Sequence, residues 1–321
     1  MAVAVETPRT RWQDALRYLP VAGPWLLLGV LVVIAASLSG SFLRTNNLLN
    51  ILRQASPLAV VAMGQTLVIL IGGIDVSVGA VVSLTTVIGG SVMANNDAMI
   101  LPTVLACLLV GLIVGVFHYL LIVRVGTDPF VTTLGSMLVL EGLNLIYTGG
   151  APRSSVTDLF RKLAQGEIVG VPIVIPVVAV VAIVLIVALR RTTWGRRLYA
   201  VGGNAPAARM SGIRVERTKG SAYILCSLLA VVAGLVLLAR IGTGATAAGQ
   251  GLELDSIAAV LIGGTVFGGG KGGVSGTIAG VLILTVLFNI FNLLAISTFA
   301  QLIIKGVVII VGIALYSRRR P

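Results

Sequence analysis

The feature that most constrains this chain is a series of apolar runs with little sequence between them. Ten can be marked out: residues 24–40, 57–74, 78–94, 100–123, 129–147, 169–189, 221–239, 254–268, 273–294 and 299–316. Most approach the ~20 residues that a helix needs to cross a bilayer. Only 11% of the 321 residues are charged, against about 25% in an ordinary soluble domain. The mean hydropathy is +1.06. A soluble globule of this kind has nothing to cover its surface with. The expected fold is an all-α integral membrane protein of about ten transmembrane helices, and the 39 glycines suit close helix packing in lipid.

The net charge of +12 does not point to nucleic acid, because the basic residues lie between the apolar runs. With the N-terminus placed inside, 16 of the 23 Lys and Arg fall on the inner side: Arg9, Arg11 and Arg17, Arg124, eight from Arg190 to Lys219, Lys271, and Arg318 to Arg320. Six fall outside, and Lys305 lies within the last run. This bias is the positive-inside pattern and predicts N-in, C-in. Trp25, Tyr147, Tyr223 and Tyr316 at run ends read as an interfacial aromatic belt. Arg9, Arg11 and Arg17 before the first run, with the small residues Ala35, Ala36 and Ser37 after it, imitate a signal peptide. Nine further runs follow, so the first reads as an uncleaved helix.

The organisation expected is a cytoplasmic segment (1–23), one transmembrane domain (24–316) with a cytoplasmic loop (190–220), and a basic tail (317–321). No stretch between runs is long enough for a nucleotide-binding core. Gly264 to Lys271 imitates a P-loop but has Thr265 where the first glycine belongs and Gly272 where Ser or Thr belongs. Cys107 and Cys226 lie in apolar runs and read as small core residues. One histidine and two cysteines are too few for a zinc or iron–sulfur site.

An internal repeat is visible. Residues 58–66 (LAVVAMGQT) align with 257–265 (IAAVLIGGT), and each leads into a glycine-rich break, 72–79 (GGIDVSVG) and 268–273 (GGGKGG). Matching glycine-interrupted runs in two halves mark the transport site of many repeat-built transporters. They equally fit a pair of tight turns at the inner face. Three small-xxx-small pairs, Gly111/Gly115, Gly264/Gly268 and Gly276/Gly280, predict close helix approach.

Polar groups inside runs are costly and therefore informative. Gln65, Asp75, Ser77, Glu141, Asn144, Asn289 and Asn292 are candidates for a translocation path for a neutral polyhydroxylated solute. The same groups serve equally as interhelical hydrogen-bond partners. Asp75 can line a path or cap the helix that follows. Glu141 and Lys305 can form a buried ion pair or contact solute. His118 reads as a hydrogen-bonded residue near the inner interface rather than a proton relay.

The loop 190–220 differs from a plain charge anchor. Gly202 and Gly203 turn the chain, Asn204 is a good N-cap, Pro206 suits the first turn and Gly212 is a good stop. In the short helix between them Ala207, Ala208 and Met210 offer a small apolar face amid basic residues. It can bind anionic lipid headgroups, or it can dock a cytoplasmic partner.

Four stretches carry a resemblance: NNLLNILRQAS (46–56), MGQTLVILIGGIDVSVG (63–79), GRRLYAVGGNAPAARMSGIRV (195–215) and GLELDSIAAVLIGGTVFGGGKGGVSGT (251–277). In this order they resemble the permeases of bacterial ABC sugar importers, in the ribose/xylose/arabinose branch and nearest its ribose permeases. The resemblance implies an inner-membrane, multi-pass transport subunit that is not itself an enzyme and holds no cofactor. It implies a cytoplasmic ATPase with two fused nucleotide-binding halves that binds ATP and Mg, and a periplasmic or lipid-anchored sugar-binding protein. A second permease subunit, identical or paralogous, completes the set, and no nucleic acid is involved. It assigns ATPase coupling to Gly203, Asn204, Ala205, Ala207, Ala208, Arg209, Ser211 and Gly212. Rival expectations are an ion-coupled secondary transporter, or an ABC permease for a nucleoside, autoinducer-2 or branched-chain amino acid.

Overall fold

The computed structural model describes residues 11–317. Arg9 and Arg318 to Arg320 lie outside the described residues. Thirteen α-helices are described: α1 (Arg11–Leu38), α2 (Thr45–Leu70), α3 (Val78–Met93), α4 (Ile100–His118), α5 (Pro129–Thr148), α6 (Asp158–Gln165), α7 (Val174–Arg191), α8 (Thr193–Gly203), α9 (Ala205–Met210), α10 (Val215–Ile241), α11 (Leu252–Ile262), α12 (Val274–Leu293) and α13 (Thr298–Ser317). A π-helical segment, Tyr119–Val125, continues α4. The chain is an all-α integral membrane protein, and each of the ten apolar runs contributes a helix. By length and composition, five stretches among the described residues suffice for a full crossing: Asp97–Val125, α5, α7, α10 and α12.

Burial separates inner from outer helices. Every residue of α2 from Ala55 to Leu70 is buried, as expected of a helix that is apolar on all sides. It packs on α10, α11 and α12, and α10 also packs on α3 and α4. In the most apolar stretch of α10, 67% of residues are buried, but only 22% in that of α5 and of α7. The outer helices instead present Leu and Val to their surroundings, among them Leu109, Leu138 and Val180, as lipid-facing helices do.

Glycine sets the closest approaches. A Cβ on Gly276 would overlap the carbonyl oxygen of Gly263, and one on Gly280 that of Ala259, so α11 and α12 touch backbone to backbone. Gly115 does the same for α4 against α10, where a Cβ would overlap the backbone of Ile224, and a Cβ on Gly111 would overlap the Val231 side chain. The third expected pair does not act this way. Gly264 (φ +84°) lies in the turn after α11, not in a helix.

Further departures from expectation have local causes. The run 254–268 is helical only to Ile262, because Gly263 and Gly264 end α11. The Gly264 N–H donates to Leu261 O (2.9 Å) and the Thr265 N–H to Val260 O (3.1 Å), a Schellman-type stop. The aligned Gly64, Gln65 and Thr66 stay inside α2. The segment 149–173, expected from the sequence to be an outside loop, is not plain loop. It holds β1 (Arg153–Ser155), α6, and the small hairpin of β2 (Glu167–Ile168) with β3 (Val171–Pro172). β1 pairs antiparallel with β4 (Thr243–Gly244). Tyr223 is not an interfacial residue: it is 1% exposed and packs in the core. Tyr147 is exposed at the end of α5, whereas Trp25, also exposed, lies midway along α1, because that helix begins well before the apolar run. Cys107 and Cys226 are free and buried.

Candidate functional site

Two features stand out, a surface knob and the buried polar layer beneath it. The knob is α9. Asn204 caps it, its side chain accepting from the Ala207 N–H at 3.0 Å. Pro206 occupies the first turn, and Gly212 (φ +79°) ends it. The Gly212 and Ile213 N–H groups donate to Arg209 O and Ala208 O, each at 3.0 Å. Pro206, Ala207 and Met210 face outward, Met210 at 91% exposure. Ala208 does not share that face, contrary to expectation. It is buried against Val201 and Val215, because a helix this short must turn one side onto its supports. Arg209 pairs with Glu216, which fixes the elbow between α9 and α10.

A second helix, α8, carries no signature of its own in the sequence and follows α7 after only Thr192. The Thr192 side chain accepts from the Gly195 N–H at 3.2 Å and starts the new helix. α8 carries the knob onto both glycine-rich breaks. A Cβ on Gly202 would overlap the carbonyl of Leu70 at the end of α2, and Gly270, after α11, lies against Gly203. The Gly270 N–H donates to Leu70 O at 2.9 Å, and the Tyr199 hydroxyl donates to Gly272 O at 2.9 Å. The breaks therefore meet each other and the basic loop on one side of the molecule.

Beneath this junction lies Asp75, fully buried between α2 and α3. Its Oδ1 accepts from the N–H (2.9 Å) and hydroxyl (2.7 Å) of Ser77. Its Oδ2 lies 3.5 Å from Nδ1 of His118 on α4. The other ring nitrogen of His118 is 3.0 Å from the Ser136 hydroxyl on α5. His118, the last residue of α4, is fully buried and hydrogen-bonded. The Thr133 hydroxyl accepts from the Val76 N–H at 3.1 Å. The Gln65 amide, oriented by its neighbours, donates to Asp75 O (3.1 Å) and accepts from Asp75 N (3.3 Å). Four helices are thus tied to one turn.

The remaining candidates are dispersed. Asn289 exchanges hydrogen bonds with Asn47 at 2.9 and 3.1 Å, joining α12 to the start of α2. Asn144 donates to Thr246 O at 3.2 Å. Asn292 is exposed and accepts from Gln301 at 3.0 Å. Glu141 is half-buried and forms no ion pair among the described residues. Lys305 pairs instead with Asp255 at 2.6 Å, because α13 packs on α11. Asp255 is not among the residues expected from sequence, although its place in the first turn of α11 is a signal for it.

Comparison with known proteins accords with this architecture. The pattern of the family described as branched-chain amino acid transport system / permease component matches residues 47–313. The ribose import permease protein RbsC of Bacillus subtilis (strain 168) is 41% identical over 298 residues, covering 91% of each chain. RbsC of Escherichia coli (strain K12) is 40% identical, covering 92% of this chain and 93% of its own. The D-allose transport system permease protein AlsC of the same organism is 33% identical, covering 91% and 90%. No solved structure matches the chain.

Proposed function

The chain belongs to the branched-chain amino acid transport system / permease component family, and on that premise we propose that it is the membrane-spanning permease subunit of an ATP-driven importer. Its cargo in this reading is a monosaccharide, ribose or a similar sugar. The relatives that match over about nine-tenths of both chains are named for ribose and allose. That favours a sugar over the branched-chain amino acid for which the family is described, and over a nucleoside or autoinducer-2. The protein sits in the bacterial plasma membrane with ten crossings and both ends inside. It works as a pair of permease subunits with a cytoplasmic ATPase and a sugar-binding protein delivering from outside. ATP and Mg belong to the ATPase, and the permease does no chemistry.

One observation carries the mechanism. The exposed face of α9 stands on α8, and Gly202 at the end of α8 lies against Leu70 of α2 while Gly203 lies against Gly270 beyond α11. A push on α9 when the ATPase halves close reaches both repeats at once. Packed backbone transmits such a push, because a close-packed interior deforms little. The α2–α3 and α11–α12 turns then move together and exchange inner for outer access. Of the path candidates, Gln65, Asp75 and Ser77 hold the α2–α3 turn in shape, and the path lies along the helices that this turn joins.

The test is reconstitution. The tagged protein, purified from its own host, is expected to bring a double-nucleotide-site ATPase, whose hydrolysis rises with sugar-loaded binding protein. Uptake that collapses with a protonophore and survives ATP depletion would overturn this reading in favour of an ion-coupled carrier using Asp75 and His118.

A further inference from the structure

A cavity of about 270 Å³ opens beside α9, and the coupling mechanism above makes no use of it. The α2–α3 turn forms its floor. The π-helical end of α4, with Ile122 and Val123, forms one wall, continued by Thr127. Arg209, Glu216 and Lys219 form the opposite wall.

The two walls differ in chemistry. Ile122 and Val123 are apolar, and the neighbouring Leu120 and Val125 are exposed at 48% and 70%, where a membrane helix meets lipid. The other wall is cationic. Glu216 is engaged by Arg209, whereas Lys219 forms no ion pair among the described residues. The three charged side chains thus leave one positive charge without a counter-ion, half-buried in a concave site. A fixed ammonium beside an apolar wall, on the basic side of a membrane protein, suits an amphiphile with a phosphate head. The volume is below the ~300–1,000 Å³ of drug-sized sites and suits a phosphoglycerol group. A neutral sugar can accept a hydrogen bond from the ammonium but leaves its charge unpaired.

We propose that this cavity is a phosphate-group site filled by the headgroup of an anionic phospholipid. The phosphate lies against Lys219 and the Thr127 hydroxyl, and the acyl chains leave along Ile122 and Val123. An occupant bridges the α9–α10 elbow and the α2–α3 turn, so it stiffens the contact between knob and membrane helices. A soluble phosphate ester offers the same head without the tails. The proposal does not depend on the cargo or on the ATPase.

The test uses the full chain in nanodiscs of phosphatidylcholine, with or without one-third phosphatidylglycerol, read by thermal unfolding. Wild type and Arg217→Gln, an equal charge loss outside the cavity, should gain several degrees from phosphatidylglycerol. Lys219→Gln should gain little, because losing one lysine weakens headgroup binding about fivefold. Native mass spectrometry of the wild type, which needs no variant, should find one phosphatidylglycerol retained per chain. In a second arm, glycerol 3-phosphate is added to phosphatidylcholine discs. A Lys219-dependent rise there, without one from phosphatidylglycerol, would overturn the lipid source and assign a soluble ester. No rise in either arm, or a lipid effect lost equally in Arg217→Gln and Lys219→Gln, would overturn the site itself.

Discussion

The backbone N–H of Gly270 donates to the carbonyl of Leu70 at 2.9 Å, joining the turn after α11 to the end of α2 across 200 residues of sequence. Gly202 of α8 lies against the same carbonyl, where a Cβ would overlap it and come within 2.6 Å of Gly270 N. Both obstacles are backbone and cannot rotate aside. Gly202→Ala should therefore cost about 1–3 kcal/mol, the usual range for overpacking, and lower the midpoint of thermal unfolding by several degrees. Sugar-stimulated ATP hydrolysis should fall with it. Gly203→Ala is the matched control, because nothing lies within 4 Å of its added Cβ. Equal midpoints for the two variants would show that the junction yields.

Asp75 and His118 are each fully buried, and their facing atoms are 3.5 Å apart. Removing either partner leaves a polar group in a dry site, at a cost of about 1–3 kcal/mol. Asp75→Ala and His118→Ala should each destabilise the protein by that much. The double variant should cost less than the two together by about 1 kcal/mol or more, the mark of a direct contact. Thermal unfolding of all four proteins in one detergent gives the cycle. A strictly additive result would mean that Ser77 and Ser136 hold the two side chains independently.

On α9, orientation separates docking from folding. Met210 is 91% exposed and Ala208 5%. Glutamate at Ala207 and Met210 together adds charge only to the outward face, so the unfolding midpoint should stay within about 1 °C. Such charges lose solvent on docking without gaining a partner, so co-purification of the ATPase should drop at least tenfold. Ala208→Glu should behave oppositely at first sight: it forces a carboxylate between Val201 and Val215 and lowers the midpoint itself. If the outward double variant still retains the ATPase, α9 is not the docking element.

How far the sequence could be read depended on how local each signal was. The helices were legible because membrane burial writes itself into composition, and α9 because Asn204, Pro206 and Gly212 act on their own backbone. The inward turn of Ala208 was not legible, since a six-residue helix shows no period. Nor was α8, whose start at Thr192 needs no break in helical pattern. The partners of polar groups were the hardest. Lys305 and Glu141 are opposite charges in apolar runs, but only the packing of α13 on α11 decides that Lys305 meets Asp255. Repeats misled in one respect. Residues 64–66 and 263–265 are alike, yet the first are helix and the second a turn, because Gly263–Gly264 pairs two flexible residues where α2 has Gly64–Gln65.

The Asp255–Lys305 pair gives the last prediction. The two side chains are 2.6 Å apart and only 16% and 18% exposed. A pair this buried contributes little net stability, because desolvation offsets attraction. Breaking it is another matter. Lys305→Met leaves the largely buried Asp255 carboxylate without its partner and should cost about 3 kcal/mol, read as a fall of several degrees in the unfolding midpoint. Asp255→Asn combined with Lys305→Met removes both charges and should recover at least half of that loss. Glu141→Gln, the partner expected from sequence, should leave the midpoint unchanged, because Glu141 makes no ion pair among the described residues. The pairing seen here would be wrong if Glu141→Gln, rather than Asp255→Asn, rescued Lys305→Met.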